Sequence, residues 1–246
     1  MLQQTPIQAQ GRYIVRRASS PDDIAAARAL RQRGFGLATP DADPYDDSCL
    51  HMLIEEARSG ALCCCFRLNL MAAPADLGHS YCAQYYDFAK LFEEHGPLVE
   101  MGRFCVEPGL RDADILRIAW GALTAFVDEA GARMLIGCTS FAGTDPGRYG
   151  DAFAELAARH LAPEAWQLVT IAPATFGYAE NCTPARDGNR ALAQMPPLLR
   201  SYLAMGGRVS DRAVIDRQMN TLHVFTGLDI AAIPEGRKRL LRALAR

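Results

Sequence analysis

The stretch VEMGRFCVEPGLRDAD, Val99 to Asp114, concentrates groups that can do chemistry. Its first half is apolar enough for a buried strand, yet Glu100 and Arg103 interrupt it. Charged side chains rarely enter a strand interior without a partner. The two are therefore either an ion pair bracing a sheet or a reactive pair. A carboxylate held there would take a proton from an amine, directly or through a water. An α-amine with a pKa of about 8 is mostly protonated at neutral pH and needs such a base before it can attack. The second half, Pro108 to Asp114, is a turn that opens a helix. A helix start presents unpaired N–H groups and the positive end of a dipole, which suit a phosphate. Arg111 and Asp112 stand at that start. A pantetheine phosphate anchored there would run its thioester arm back along the strand toward Glu100.

Strand parity works against this arrangement. On a regular strand Glu100, Gly102 and Phe104 share one face while Met101, Arg103 and Cys105 share the other. A bulge at Gly102 would restore convergence and free a backbone N–H for the thioester oxygen. The sequence thus predicts a bulge there.

The surrounding elements alternate. RYIVRRAS, Arg12 to Ser19, predicts a strand, and Ser20-Pro21 predicts a capped helix to about Arg33, stopped by Gly34 and Gly36. A Pro/Asp-rich loop, Pro40 to Asp47, precedes the strands CLHMLIEE and ALCCCFRLNL, which join through Arg58, Ser59 and Gly60. YDFAKLFEE is a short helix ended by Gly96. The quoted strand then leads to a helix from Asp112 to about Gly131. RMLIGCTSF is a strand, Asp145 to His160 a helix, and AWQLVTIAP a strand. Thr183 to Asn189 reads as a loop and PPLLRSYLAMGG as a helix. RAVIDRQM and TLHVFTGL form a late strand pair, and Pro234 to Arg246 is a cationic amphipathic helix. This order predicts an α/β chain with a mixed sheet and helices on both faces.

The 246 residues are 50% apolar and 22% charged with a formal net charge of -2, so no global basic character points to nucleic acid. The eight cysteines show no zinc spacing, since Cys63, Cys64 and Cys65 are adjacent and alternate faces on a strand. They read as small buried apolar side chains, with no metal site expected. No secretory leader is visible, and no run approaches the ~18 apolar residues of a membrane span, which predicts a cytoplasmic protein with reduced thiols.

Several segments together carry a resemblance: ALRQRGF (Ala29 to Phe35), DADPYDDSCLHMLI (Asp41 to Ile54), EMGRFCVEP (Glu100 to Pro108), LIGCTSFAGTD (Leu135 to Asp145) and MPPLLRSYLAMGGRVSDRAVIDRQMNTLHVF (Met195 to Phe225). They resemble the L-ornithine N-alpha-acyltransferases of bacterial ornithine-lipid synthesis, in the GCN5-related N-acetyltransferase superfamily. The resemblance spans roughly Arg12 to Ile230, and its last segment is the most specific. It implies a mostly antiparallel sheet flanked by helices, related to acyl-homoserine-lactone synthases. It also implies a single acyltransferase domain over 1–246, with an N-acyltransferase core at 12–180 and a C-terminal extension at 181–246. The implied reaction moves a 3-hydroxyacyl group from acyl carrier protein to the α-amine of L-ornithine, or of a related amino acid such as glutamine. The donor is the phosphopantetheine thioester itself, with no further bound cofactor.

By position, the resemblance makes Glu100 the base and Arg103 the arginine of an E-x-x-R strand motif. Arg31 and Arg33 match an R-x-R pair, Asp43 and Asp46 a D-x-x-D loop, and Cys49 with His51 a C-x-H strand entry. Asp43 and Asp46 would draw the cationic amino acid or hold Arg31 and Arg33. Arg111 and Asp112 would hold the pantetheine phosphate. Ser140 and Phe141 would lie beside the acyl chain, and Tyr85 or Tyr86 would be candidates to protonate the leaving thiolate. The chain departs from the pattern at Gly34, where the family usually has valine, at Gly36 to Thr39, and in GLRDAD, which differs from the usual acetyl-coenzyme A loop. A homoserine-lactone synthase and a non-catalytic carrier-binding fold are the alternatives. The specific tail speaks against the first. The basic terminal helix would dock acyl carrier protein or touch the inner membrane peripherally.

Overall fold

The computed structural model describes residues 8–181 and 188–244. Along the chain run β1 (Gln8–Gln10), β2 (Tyr13–Arg17), α1 (Pro21–Phe35), β3 (Leu50–Glu56), β4 (Leu62–Met71), β5 (Tyr86–Asp87), α2 (Ala89–His95), β6 (Leu98–Val106) and α3 (Ala113–Ala130). There follow β7 (Met134–Ala142), α4 (Gly150–Arg159), β8 (Val169–Thr170), β9 (Thr175–Phe176), α5 (Tyr178–Asn181), α6 (Gly188–Gln194) and α7 (Pro197–Ala204). The described chain ends with β10 (Arg208–Val209), β11 (Ala213–Asp216), β12 (Thr221–Asp229) and α8 (Glu235–Leu244).

Local chemistry explains most boundaries. Ser20 caps α1 by accepting from the Asp23 N–H at 3.2 Å, with Pro21 behind it. The helix runs past Gly34 and stops at Gly36, whose φ of 67° is left-handed. Asp112 caps α3 and Gly131 ends it. The helix predicted from Asp145 divides: Asp145 accepts from the Gly147 N–H, a tight turn covers Pro146–Tyr149, and α4 begins at Gly150. Of AWQLVTIAP only Val169–Thr170 is strand, because Trp166 is drawn into the core on a short turn. The loop expected from Thr183 falls on residues outside those described up to 187, and Gly188 and Asn189 already belong to α6.

The chain forms two compact units, Met1–Leu70 with Val99–Ala132 and Glu235–Arg246, and Met71–Leu98 with Arg133–Pro234.

In the first unit the strand order is β1-β2-β3-β4-β6. The registers of β1 with β2, β2 with β3 and β3 with β4 are antiparallel. Leu53 and Cys65 lie opposite each other and pack with Cys105 against Ala27 and Leu30 of α1. Their neighbours Ile54 and Cys64 therefore turn to the other face. There α3 packs on β1 and β2, and the Tyr13 hydroxyl donates to Asp112 at 2.8 Å. α8 packs along α3, where Arg242 donates to both oxygens of Asp128 at 2.9 and 3.0 Å.

In the second unit the order is β7-β12-β11-β9, with β10 also beside β12, all antiparallel. One sheet face carries Phe141, Leu222 and Val224 against Phe153, Tyr178 and Leu199. The other carries Ile136, Cys138 and Phe225 under Cys82, Tyr86 and Phe88. No helix of the described residues is long and apolar enough to cross a membrane.

Candidate active site

The first unit holds a buried charge cluster on the face of β3, β4 and β6 that α1 covers. His51 of β3 and Arg67 of β4 are register partners on this face. The loop between α1 and β3 brings Asp41, Asp43 and Asp46 onto it. Asp46 accepts from Arg28 Nε at 2.8 Å, from Arg31 Nη1 at 2.9 Å and Nη2 at 2.7 Å, and from Arg67 Nη1 at 2.8 Å. Asp41 faces Arg31 Nε at 2.9 Å and Arg103 Nε at 2.8 Å. Asp43 accepts from Arg67 at 2.6 Å and from Arg103 at 2.8 Å. His51 donates Nε2–H to the Asp46 carbonyl oxygen at 2.9 Å.

Arg31 and Arg67 are 1% and 2% exposed, so neither can rely on water, and the carboxylates answer them. Burial alone would raise the Asp46 carboxyl, but the bonds from Arg31, Arg28 and Arg67 outweigh it and hold it well below the usual carboxylate range. Burial acts upward on Asp43 too, and Arg67 and Arg103 override it to leave that carboxyl lowered. Burial pushes the His51 imidazole down, against the opposing pull of Asp46, which keeps the ring neutral.

Glu100 lies on β6, 4% exposed. Burial raises the pKa of Tyr45 and Cys49, and the Glu100 charge adds to that rise; both groups also feel Asp43 and Arg67. The parity conflict is resolved by the backbone. Arg103 has a φ of 52°, left-handed inside a strand, which is the mark of a bulge, and it falls one residue after Gly102, where the sequence predicts it. The effect is visible on either side. Cys105 packs under α1, and a Cβ placed on Gly102 would lie 3.9 Å from Arg67 Nη2 on that same face. Three residues apart on a regular strand, the two positions would oppose each other. The extra residue lets Glu100 share a face with Arg67 while the Arg103 guanidinium reaches Asp41 and Asp43.

Residues 28–121, which contain the second half of α1, the aspartate loop and Glu100, match the acetyltransferase (GNAT) domain. An L-ornithine N(alpha)-acyltransferase of Rhodobacter capsulatus is 30% identical over 243 residues, covering 91% of this chain and 92% of that protein. This chain belongs to that acyltransferase family. A second L-ornithine N(alpha)-acyltransferase, from Brucella abortus, is 30% identical over 245 residues, 91% of this chain and 86% of its own. FeeM, an N-acyl amino acid synthase from uncultured soil microbes, shares the fold with a TM-score of 0.53 at 13% identity, covering 92% of this chain and 94% of that one. The chain is thus an acyltransferase of GNAT fold.

Of the residues that the family pattern singles out, the structure gathers Arg31, Asp43, Asp46, His51, Arg103 and Glu100. It does not gather Arg33, which is half exposed at the end of α1 and holds both oxygens of Glu107 at 3.2 and 2.6 Å. Asp112 spends its carboxylate on the cap, accepting from the Asp114 N–H at 2.9 Å and from Tyr13, and these bonds lower its pKa. A negative cap already occupies the α3 dipole, which disfavours a second anion on the same N–H groups. Arg111 is exposed beside it. Ser140 lies on β7 in the second unit, exposed and opposite His223, while its neighbour Phe141 is core. Tyr86 is fully buried and its phenol is raised well above the ordinary value by that burial, so it is a poor proton donor; Tyr85 is also raised by burial.

Three members of the cluster escaped the sequence reading, Arg28, Asp41 and Arg67. Arg67 carried a signal: an arginine within CCCFRLNL, an otherwise apolar strand, needs a buried carboxylate.

Proposed function

We propose that the chain transfers a 3-hydroxyacyl group from acyl carrier protein to the α-amine of L-ornithine, or of a related amino acid such as glutamine, with Glu100 as general base. The observation that carries the mechanism is a buried carboxylate at the bulged strand beside a cluster whose own carboxylates are all engaged by arginine. Asp41, Asp43 and Asp46 are thereby committed to structure, and Glu100, the glutamate of the E-x-x-R strand motif, receives the proton of the attacking ammonium. The amine then adds to the thioester carbonyl, a backbone N–H at the bulge receives the oxyanion, and as the C–S bond breaks the proton remaining on the nitrogen passes to the departing pantetheine thiolate. Four guanidiniums meet three aspartates in the cluster, and this excess positive charge suits the acceptor's carboxylate. The exposed Arg111 guanidinium, rather than the occupied α3 cap, is the candidate for the phosphate. The exposed Arg237 and Arg239 of α8 offer charge to an acidic carrier protein or to anionic lipid, since Arg242 is held by Asp128.

The test is thiol release from 3-hydroxyacyl-acyl carrier protein by the purified chain, with ornithine, glutamine and other amino acids in turn, and mass spectrometry of the product. An N-acylornithine establishes the proposal. Release with glutamine alone keeps the mechanism and changes the acceptor. No release with any amine overturns the reading.

A further inference from the structure

The second unit contains a feature that acyl transfer does not use. Cys82 Sγ and Cys138 Sγ lie 3.4 Å apart, the van der Waals contact of two thiols. Cys82 is 0% exposed on the short turn Cys82–Gln84, and Cys138 is half-buried on β7. A disulfide needs about 2.05 Å between its sulfurs, so closing the pair takes a shift of roughly 1.4 Å. A three-residue turn can supply that shift more readily than a central strand. Metal binding is a poor alternative, since no group of three or more His, Cys, Asp or Glu side chains among the described residues is placed to hold an ion.

The first unit supplies a contrast. Burial raises the Cys49 thiol to about 11, Cys65 to about 12 and Cys105 to about 11, with Cys64 raised as well. Thiols held so firmly protonated are poor nucleophiles toward oxidants, and none of these is in a disulfide.

We propose that Cys82 and Cys138 are a redox pair that closes to a reversible disulfide when the protein meets a peroxide. Cys138, the more accessible, attacks the peroxide as a thiolate. It becomes a sulfenic acid and releases one oxygen as water after proton uptake. The Cys82 sulfur then attacks the Cys138 sulfur, the S–O bond breaks, and a second water leaves. Two thiols lose two protons and two electrons, and one hydrogen peroxide becomes two waters. The bond fastens the turn that leads into Tyr85 and Tyr86, whose rings rest on His223, to the strand that carries Ser140.

The experiment treats the full chain with a small excess of hydrogen peroxide, blocks remaining thiols in denaturant and maps the peptides. The expected result is a loss of two hydrogen masses, a cross-linked Cys82–Cys138 peptide, full recovery with dithiothreitol, and Cys63, Cys64, Cys65 and Cys105 still alkylated. In Cys82→Ser the resolving thiol is gone, and a sulfenic-acid probe should label Cys138 at least tenfold more than in the unaltered chain. A bond between other cysteines, accumulation of Cys138 sulfinic acid in the unaltered chain, or equal probe labelling in the two proteins would overturn the proposal.

Discussion

The first unit buries charge and the second buries rings. Under α1, Arg31 and Arg67 sit with Asp41, Asp43 and Asp46, each guanidinium bonded to at least two carboxylates. Under β7 and β12 of the second unit, Phe141 and Phe153 meet at 5.1 Å and Phe153 stacks on Tyr178 at 5.0 Å. The two interiors fail differently. An apolar core tolerates loss in proportion to the cavity left behind. A buried ionic cluster is all or none, because removing one member strands another in a medium that cannot solvate it. Rings hold a scaffold well enough, but they cannot set the charge of a neighbouring carboxylate. The ionic cluster fixes the loop Leu37 to Cys49 against the strand that carries Glu100, and this is where a base needs a defined electrostatic surrounding.

The comparison is sharpened most by separating chemistry from scaffold. Glu100→Gln removes the proposed base and keeps its shape. Turnover should fall by about 10²- to 10⁴-fold, the usual contribution of a positioned base, with the melting temperature little changed. Steady-state kinetics beside a thermal melt decide it. A drop in melting temperature matching the drop in turnover would make Glu100 another brace of the cluster.

Asp46→Ala tests the cluster itself. It leaves Arg28, Arg31 and Arg67 without their shared carboxylate, and a loss of about 3–5 kcal/mol is expected by denaturant unfolding. The acid limb carries the same information. The Asp43 and Asp46 carboxyls are lowered in the folded chain, so their stabilisation is complete above the unfolded carboxylate value and fades as pH falls through it. His51 adds to this in the same direction. Its folded pKa is lowered, so the unfolded chain takes up a proton first and stability begins to fall as pH drops below about 6.5. Stability that rose toward acid between these values would contradict the arrangement.

Two glycines mark the places where each interior tolerates no added carbon. On α1, a Cβ at Gly34 would collide with Cys105 Sγ of β6. On β12, one at Gly227 would sit 2.6 Å from Trp166 Cζ3. Alanine at either site should cost about 1–3 kcal/mol through overpacking. In Gly34→Ala, Cys105→Ala should restore part of the loss, since it removes the colliding sulfur. A double-mutant cycle read from urea melts would detect this, and strict additivity would place the strain elsewhere.

Gly34 also shows how far the sequence could be read. As a residue it looked like a departure near the acceptor site, and in the structure it is the gap that lets α1 lie on β6. Strand and helix positions were legible wherever a cap or a run carried its own physics, as at Ser20, Asp112 and Gly131. Glu100 and Arg103 were legible because charge in an apolar strand demands a reason. The bulge was foreseeable from parity at Gly102, but its left-handed residue is Arg103, where the backbone strain is justified only by the bonds to Asp41 and Asp43. The partnership of Asp46 with Arg67 was not legible, because it depends on a long-range register between β3 and β4 that no local pattern encodes.

The smallest effect is expected where the sequence promised most symmetry. Arg31 and Arg33 stand two residues apart on α1, about 200° around a helix turning 3.6 residues per turn, so they face opposite ways. The side chain of Arg31 is 1% exposed and that of Arg33 is 51% exposed. Arg33 bonds Glu107 in water, where such a pair contributes under about 1 kcal/mol and is screened by salt. Arg33→Ala should therefore shift the urea midpoint only slightly, and by less still in high salt. The rise in donor or acceptor KM should be no more than about twofold, the scale of a weak surface contact. Arg31→Ala in the same assay should fail to fold or lose most of its stability, because Asp41 and Asp46 crowd the place it vacates. Comparable losses from the two variants would mean that Arg33 leaves Glu107 during turnover and joins the site, giving the exposed end of α1 a share in substrate binding.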